Sequence, residues 1–146
     1  MKYLIDTDQK MQEFGKKLGA SLTGGEVIEL IGDLGAGKTT LVKGIAKGLL
    51  IDEPVQSPTF TISRTYDSPR DGLRLIHYDL YRLKDVGIMA DEIYENSEDK
   101  KNILIIEWAE TAYSVLDEDR IKININYLPD GDGREVIVSN YDKEIA

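Results

Sequence analysis

Gly32-Asp33-Leu34-Gly35-Ala36-Gly37-Lys38-Thr39-Thr40 constrains this chain more than any other stretch. It satisfies the pattern G-x-x-x-x-G-K-S/T, and an apolar, β-branched run, Val27-Ile28-Glu29-Leu30-Ile31, leads straight into it. Behind it Leu41, Val42, Ile45, Ala46 and Leu49 recur as one face of a helix. Strand, glycine loop and helix in that order read as a phosphate-binding loop of the kind found in nucleotide hydrolases and kinases. The plainer alternative is a Gly-rich surface turn before an ordinary helix; motif and flanks together weigh against it. Gly32, Gly35 and Gly37 let the backbone close over a phosphate with no Cβ in the way. The free N–H groups at the helix N-terminus then favour an anion. In such a loop Lys38 reaches the β- and γ-phosphates and the Thr39 hydroxyl ligates Mg²⁺.

The rest of the chain supplies a sheet around that loop. A short strand is expected over Tyr3–Ile5. A helix follows to about Ala20, capped by Asp6 with Gln9 three residues on and burying Met11, Phe14 and Leu18. Asp52-Glu53-Pro54 closes the loop helix. Thr59–Tyr66 and Leu73–Asp79 pair across the turn Asp67–Gly72. Leu80–Asn96 is mixed, with apolar residues at irregular helical spacing. Ile103–Ile106 is apolar throughout, as in a strand buried on both faces. Ala109–Leu116 reads as helical. Ile121–Tyr127 and Glu135–Ser139 form a hairpin about Pro129–Gly133. No repeat, linker or low-complexity segment interrupts residues 1–146, so one α/β domain is expected, a mixed central sheet flanked by helices with a C-terminal hairpin.

Composition narrows the partners. There is no cysteine, hence no disulfide framework and no thiolate metal site. No run approaches the ~18 apolar residues of a membrane span, and no apolar leader opens the chain, which points to the cytoplasm. Between Asp85 and Asp132 stand 13 acidic and 4 basic residues, a net of −9 that equals the charge of the whole chain. That argues against non-specific nucleic-acid binding. Arg64, Arg70, Arg74, Arg82 and Lys84 form a local basic stretch, which a solvated face explains as well as a ligand does.

A phosphate loop needs an acid at the end of a neighbouring strand, to hold the metal or order water. Glu107 and Asp79 meet that description; the plainer alternative for each is a strand-end carboxylate that caps the next helix. Ser57-Pro58-Thr59 lies where a switch segment senses the γ-phosphate in related hydrolases, or is a simple turn. Trp108, the sole tryptophan, reads as a core or rim aromatic or as a residue beside the base. His77, the sole histidine, reads as a core histidine or a catalytic one. Arg134 follows a Gly-rich turn and either meets a phosphate or is solvated.

Taken as an ordered set, Gly32–Thr40, Ser57-Pro-Thr-Phe60, His77-Tyr-Asp-Leu-Tyr-Arg82 and Ile106-Glu-Trp108 resemble the TsaE (YjeE) family. The resemblance spans most of the chain. It implies a single-domain P-loop NTPase fold and a small ATPase acting with TsaB, TsaD and TsaC. These proteins make N6-threonylcarbamoyladenosine next to the anticodon of tRNA. The family's ATP hydrolysis is thought to reset the TsaB–TsaD complex rather than to transfer the threonylcarbamoyl group. Carried to this sequence, Gly35, Ala36, Gly37, Lys38, Thr39 and Thr40 would bind the phosphates of ATP, with Thr39 and Glu107 on Mg²⁺. Lys38, Asp79 and Glu107 would be the catalytic set. Thr59 would act in the switch, Trp108 and Arg134 would contact ATP, and the N-terminal contact would fall within Thr7 to Gln9. The protein partner would be TsaB–TsaD, with tRNA met only through it; the isolated chain would be monomeric and off the membrane.

No arginine stands out as an in-cis finger, a group worth roughly 10³–10⁵ in rate, so slow hydrolysis is expected without partners. Three rivals remain: a P-loop small-molecule kinase, a non-catalytic nucleotide-dependent switch, and direct tRNA binding through Arg64 to Lys84.

Overall fold

The computed structural model describes every residue except Leu34, Thr59, Phe60, Val86, Ile88, Asp130, Asp132 and Ala146. Seven strands form one sheet: β1 (Lys2–Ile5), β2 (Val27–Gly32), β3 (Ser63–Asp67), β4 (Arg74–Asp79), β5 (Asn102–Glu107), β6 (Ile121–Tyr127) and β7 (Arg134–Ser139), in the order β1-β7-β6-β2-β5-β4-β3. The central four, β6, β2, β5 and β4, run parallel; β7 and β1 on one side and β3 on the other are antiparallel additions. β5 sits between β2 and β4 with every residue buried, as its unbroken apolar run requires.

Helices cover both faces. On one, α1 (Asp8–Ser21) and α2 (Lys38–Gly48) pack on Ile28, Leu30, Leu75, Ile103 and Ile105. On the other, α3 (Met89–Glu98) and a 3₁₀ helix (Ala109–Val115) cover Ile76, Tyr78, Leu104 and Ile106. The α2 face expected from the sequence is wholly buried, Leu41, Val42, Ile45 and Leu49 at 0% exposure. Glycines let α1 and α2 touch backbone to backbone: a Cβ on Gly15, Gly19, Gly44 or Gly48 would lie 2.2–2.5 Å from a carbonyl oxygen of the other helix.

Several local expectations are corrected. Thr7, not Asp6, caps α1: its hydroxyl accepts from Lys10 N at 3.0 Å, while Asp6 pairs with the Lys10 ammonium at 2.9 Å. That pairing holds the Asp6 carboxyl below the usual range. β3 starts at Ser63 rather than Thr59, because the Pro58 carbonyl accepts from Thr61 N and Ile62 N and turns the chain. Ile62 is left-handed there (φ 68°). α2 ends at Gly48, well before Pro54, and Leu50 is left-handed behind it (φ 62°). The basic stretch is dispersed. Arg70 donates to the carbonyls of Gly19, Ala20, Leu22 and Gly48, tying the ends of α1 and α2 together. Arg74 bonds Asn102 and Asp99 instead.

Candidate nucleotide site

The C-terminal ends of the four parallel strands meet at one edge of the sheet, where β2 turns into α2. In open parallel sheets that edge is where ligands bind. Gly32 ends β2 so close to β6 that a Cβ would come 2.8 Å from the Ile125 carbonyl oxygen. Gly35 (φ 79°) and Gly37 (φ 107°) take left-handed conformations that a side chain would strain. Gly37 is the N-cap of α2, and no side chain caps the helix. Its first amides therefore face the cleft without an intrahelical partner.

That cleft, of about 450 Å³, is lined by Gly35, Gly37, Lys38, Thr39 and Thr40 from the loop and helix, by Asp79 and Glu107 from β4 and β5, and by Trp108. The parallel register sets Asp79 directly beside Glu107. Lys38 and Glu107 are both buried, their Nζ and Oε1 3.6 Å apart. The Lys38 ammonium also stands 4.5 Å from the centre of the Trp108 ring. Trp108 reaches this position because β5 stops at Glu107 and the next residue is left-handed (φ 56°, ψ 51°), uncommon for a bulky side chain. Asp79 lines the cleft, and its Oδ1 accepts from Tyr81 N at 3.0 Å in the turn that follows β4 rather than capping a helix.

A second recess of about 270 Å³ adjoins Gly37, lined by Asp6, Thr7, Asp8, Met11, Ala36 and Arg134 among others. Arg134 Nε donates to the Ala36 carbonyl at 3.1 Å, and its guanidinium lies 4.1 Å from the Tyr127 ring. Arg134 thus braces the glycine loop from β7. Of the N-terminal candidates, Thr7 borders this recess; Gln9 is exposed and lines neither hollow. Thr59 lies outside the described residues, although Ser57 of the same segment lines the main cleft.

Asp8, in the first turn of α1 and inside the expected N-terminal range, lines both hollows. Sequence reasoning missed two contributors. Tyr81 and Arg82 line the cleft; Tyr81 is 54% exposed, and its ring centre is 4.9 Å from that of Trp108. Their signal was present in His77–Arg82, but the segment after Asp79 has no period to place it. His77 is neither a plain core residue nor a cleft residue: it is fully buried, with Nε2 2.5 Å from Glu107 Oε2. A larger cavity, about 760 Å³, lies at the opposite edge among Val27, Ile121 and Tyr141, far from these residues along the strands.

A Lewis-acidic metal fits the donor set. Thr39 offers a hydroxyl and Glu107 and Asp79 offer carboxylates in one cleft. Mg²⁺ binds through one or two such ligands and fills its shell with water and phosphate oxygens.

Known proteins resemble this chain in both sequence and shape. The family model described as threonylcarbamoyl adenosine biosynthesis protein TsaE matches residues 5–136. The tRNA threonylcarbamoyladenosine biosynthesis protein TsaE of Nostoc sp. is 48% identical over 111 residues, 74% of this chain and 67% of that protein. Its counterpart in Bacillus subtilis is 37% identical over 139 residues, 93% and 83% of the two chains. The crystal structure of YdiB from the same bacterium superposes with a TM-score of 0.76 at 31% identity, covering 97% of this chain and 86% of that one. A match of this extent at these identities settles the kinship: the chain belongs to the TsaE family.

Proposed function

We propose that this chain is the ATP-hydrolysing component of a tRNA threonylcarbamoyladenosine machinery, cleaving ATP to ADP and phosphate to reset a TsaB–TsaD complex in the cytoplasm. One observation carries the chemistry: Lys38 and Glu107 converge in a cleft at the uncapped N-terminus of α2. The pathway comes from the printed role of the relatives.

In this reading the amides of Gly35 to Thr40 cradle the phosphates, and Lys38 exchanges Glu107 for the β- and γ-oxygens. Thr39 and Glu107 hold Mg²⁺, which neutralises charge on those oxygens when bound. Asp79, next to Glu107 in register, orients the attacking water. Trp108 walls the cleft, and Thr7 and Arg134 contact the remainder of the nucleotide across Gly37. Ser57 and Thr59 report the γ-phosphate. Arg82 lines the cleft at its exposed rim, and turnover is slow until a partner completes the site.

The test is phosphate release from ATP by the isolated chain and by the chain with TsaB and TsaD. Slow Mg²⁺-dependent release that rises with partners is expected. A phosphorylated acceptor in place of free phosphate would make the protein a kinase, and no single-turnover hydrolysis would make it a switch. Equal rates with and without partners would remove the coupling to TsaB–TsaD.

A further inference from the structure

His77 is an expensive residue to bury where it is. Its ring has 0% exposure on the face of β4 that packs toward α2, between Leu75 and Asp79. Its Nδ1 has no hydrogen-bond partner among the described residues. An imidazole retained only for packing would be better replaced by an apolar side chain, since an unsatisfied buried polar atom costs stability. Among the described residues its one side-chain hydrogen bond is to Glu107, thirty residues away, through Nε2 and Oε2. A carboxylate only accepts, so Nε2 is the donor of that bond.

The consequence lies in how Glu107 is aimed. A terminal carboxylate torsion is broad and roughly two-fold. With Oε2 held by His77 from behind, Oε1 is the oxygen turned to Lys38 and the cleft. The register makes this possible: Asp79 lies opposite Glu107 while His77 lies opposite Ile105, so the imidazole reaches diagonally along the same face. We propose that His77 is a positioning residue that fixes the Glu107 carboxylate so that one oxygen alone is presented to the metal of a bound nucleotide. The inference rests on the nucleotide-site reading above and deepens it.

The experiment uses the intact chain and Trp108 fluorescence to follow ADP binding across a magnesium titration, alongside kcat and KM for ATP. His77→Leu removes the donor at similar bulk. His77→Gln returns an N–H near the place of Nε2, and His77→Asn, whose amide reaches only the depth of Nδ1, misplaces it. Loss of such a supporting hydrogen bond costs about 10–100-fold in metal affinity. His77→Leu, or His77→Asn if the leucine variant does not fold, is expected to raise the half-saturating magnesium concentration by that factor and lower kcat. Metal-free ADP affinity stays unchanged, and His77→Gln recovers most of the loss. A folded leucine or asparagine variant with the original magnesium requirement overturns the proposal, as does a glutamine variant impaired as badly as either. If the unaltered chain binds no ADP, the nucleotide-site reading itself falls, and if it binds ADP with no magnesium dependence the metal is withdrawn from Glu107 and the proposal with it; both results are distinct from the other two.

Discussion

Lys38 and Glu107, the cation of the phosphate loop and the acid at the end of β5, are each other's buried partners, 3.6 Å apart at Nζ and Oε1. In the proposed mechanism each is the group the other releases to a triphosphate and its metal. In so buried a place neither charge could be left alone cheaply. Both should be indispensable to hydrolysis. Lys38→Ala and Glu107→Ala are expected to lower kcat for ATP by at least about 10²-fold, the scale of removing one electrostatic stabiliser. Undiminished turnover in Glu107→Ala would withdraw the metal from that residue.

The same ammonium stands over the ring of Trp108, the sole tryptophan of the chain. If phosphates draw Lys38 away, the ring loses its cation, and emission should change on adding ADP. The change should saturate and should vanish in Lys38→Ala. An identical signal in Lys38→Ala would place the source of the change elsewhere.

What the sequence made legible was whatever sits close along the chain. Glycine spacing and the flanking periods located the loop, the α2 face, the buried β5 and the hairpin without any tertiary knowledge. Asp79 and Glu107 were legible because a strand end is a local feature. The bond between His77 and Glu107 was not, because it exists only once β4 and β5 pair in register. Thr7 displaced Asp6 as cap for a local reason, a competition between neighbours: Lys10, one helical turn on, claimed the Asp6 carboxylate. The role of Gly15, Gly19, Gly44 and Gly48 was not legible either, because it exists only where the two helices touch through them.

Those glycines give a prediction in which two effects oppose. Alanine favours a helix over glycine by about 1 kcal/mol per residue. At Gly19 its Cβ would lie 2.2 Å from the Ile45 carbonyl oxygen, and at Gly48 the same distance from that of Lys16. Backbone cannot swing aside as a side chain can, so overpacking, typically 1–3 kcal/mol, should win. Gly19→Ala and Gly48→Ala should lower the urea midpoint. Because α1 carries Thr7 and Asp8 to the nucleotide hollows, ADP affinity should weaken as well. A stabilised Gly19→Ala would mean that the helix contact is looser than described.

On the other face Glu29 is buried with Arg120, Oε1 receiving Nε at 2.9 Å and Nη2 at 2.8 Å, and Tyr113 donates to Oε2 at 2.7 Å. Removing one partner strands a charge, so Arg120→Leu should cost about 3–5 kcal/mol in equilibrium unfolding. The double change Glu29→Leu with Arg120→Leu should cost far less, because no ion is left unpaired. Equal losses in the single and double variants would show that packing, not charge, holds this corner.

Tyr78 gives the pH dependence. It is fully buried between β4 and α3, and burial pushes its phenol up to about 12 despite the Asn96 amide hydrogen-bonded to its oxygen. Tyr113 is also raised to about 12, by burial of its hydroxyl and then by the Glu29 carboxylate. A phenol that holds its proton more tightly when folded stabilises the fold below its unfolded pKa near 10. That contribution is lost as pH rises through about 12, since the unfolded chain ionises first. For Tyr78 the two-unit gap corresponds to something on the order of 2 kcal/mol. The unfolding midpoint should therefore fall between pH 10 and 12, and phenolate absorbance should show a fraction of the eight tyrosines ionising only as the fold is lost. Tyr78→Phe should flatten that decline, and an equally steep fall in the variant would assign the alkaline sensitivity to other groups.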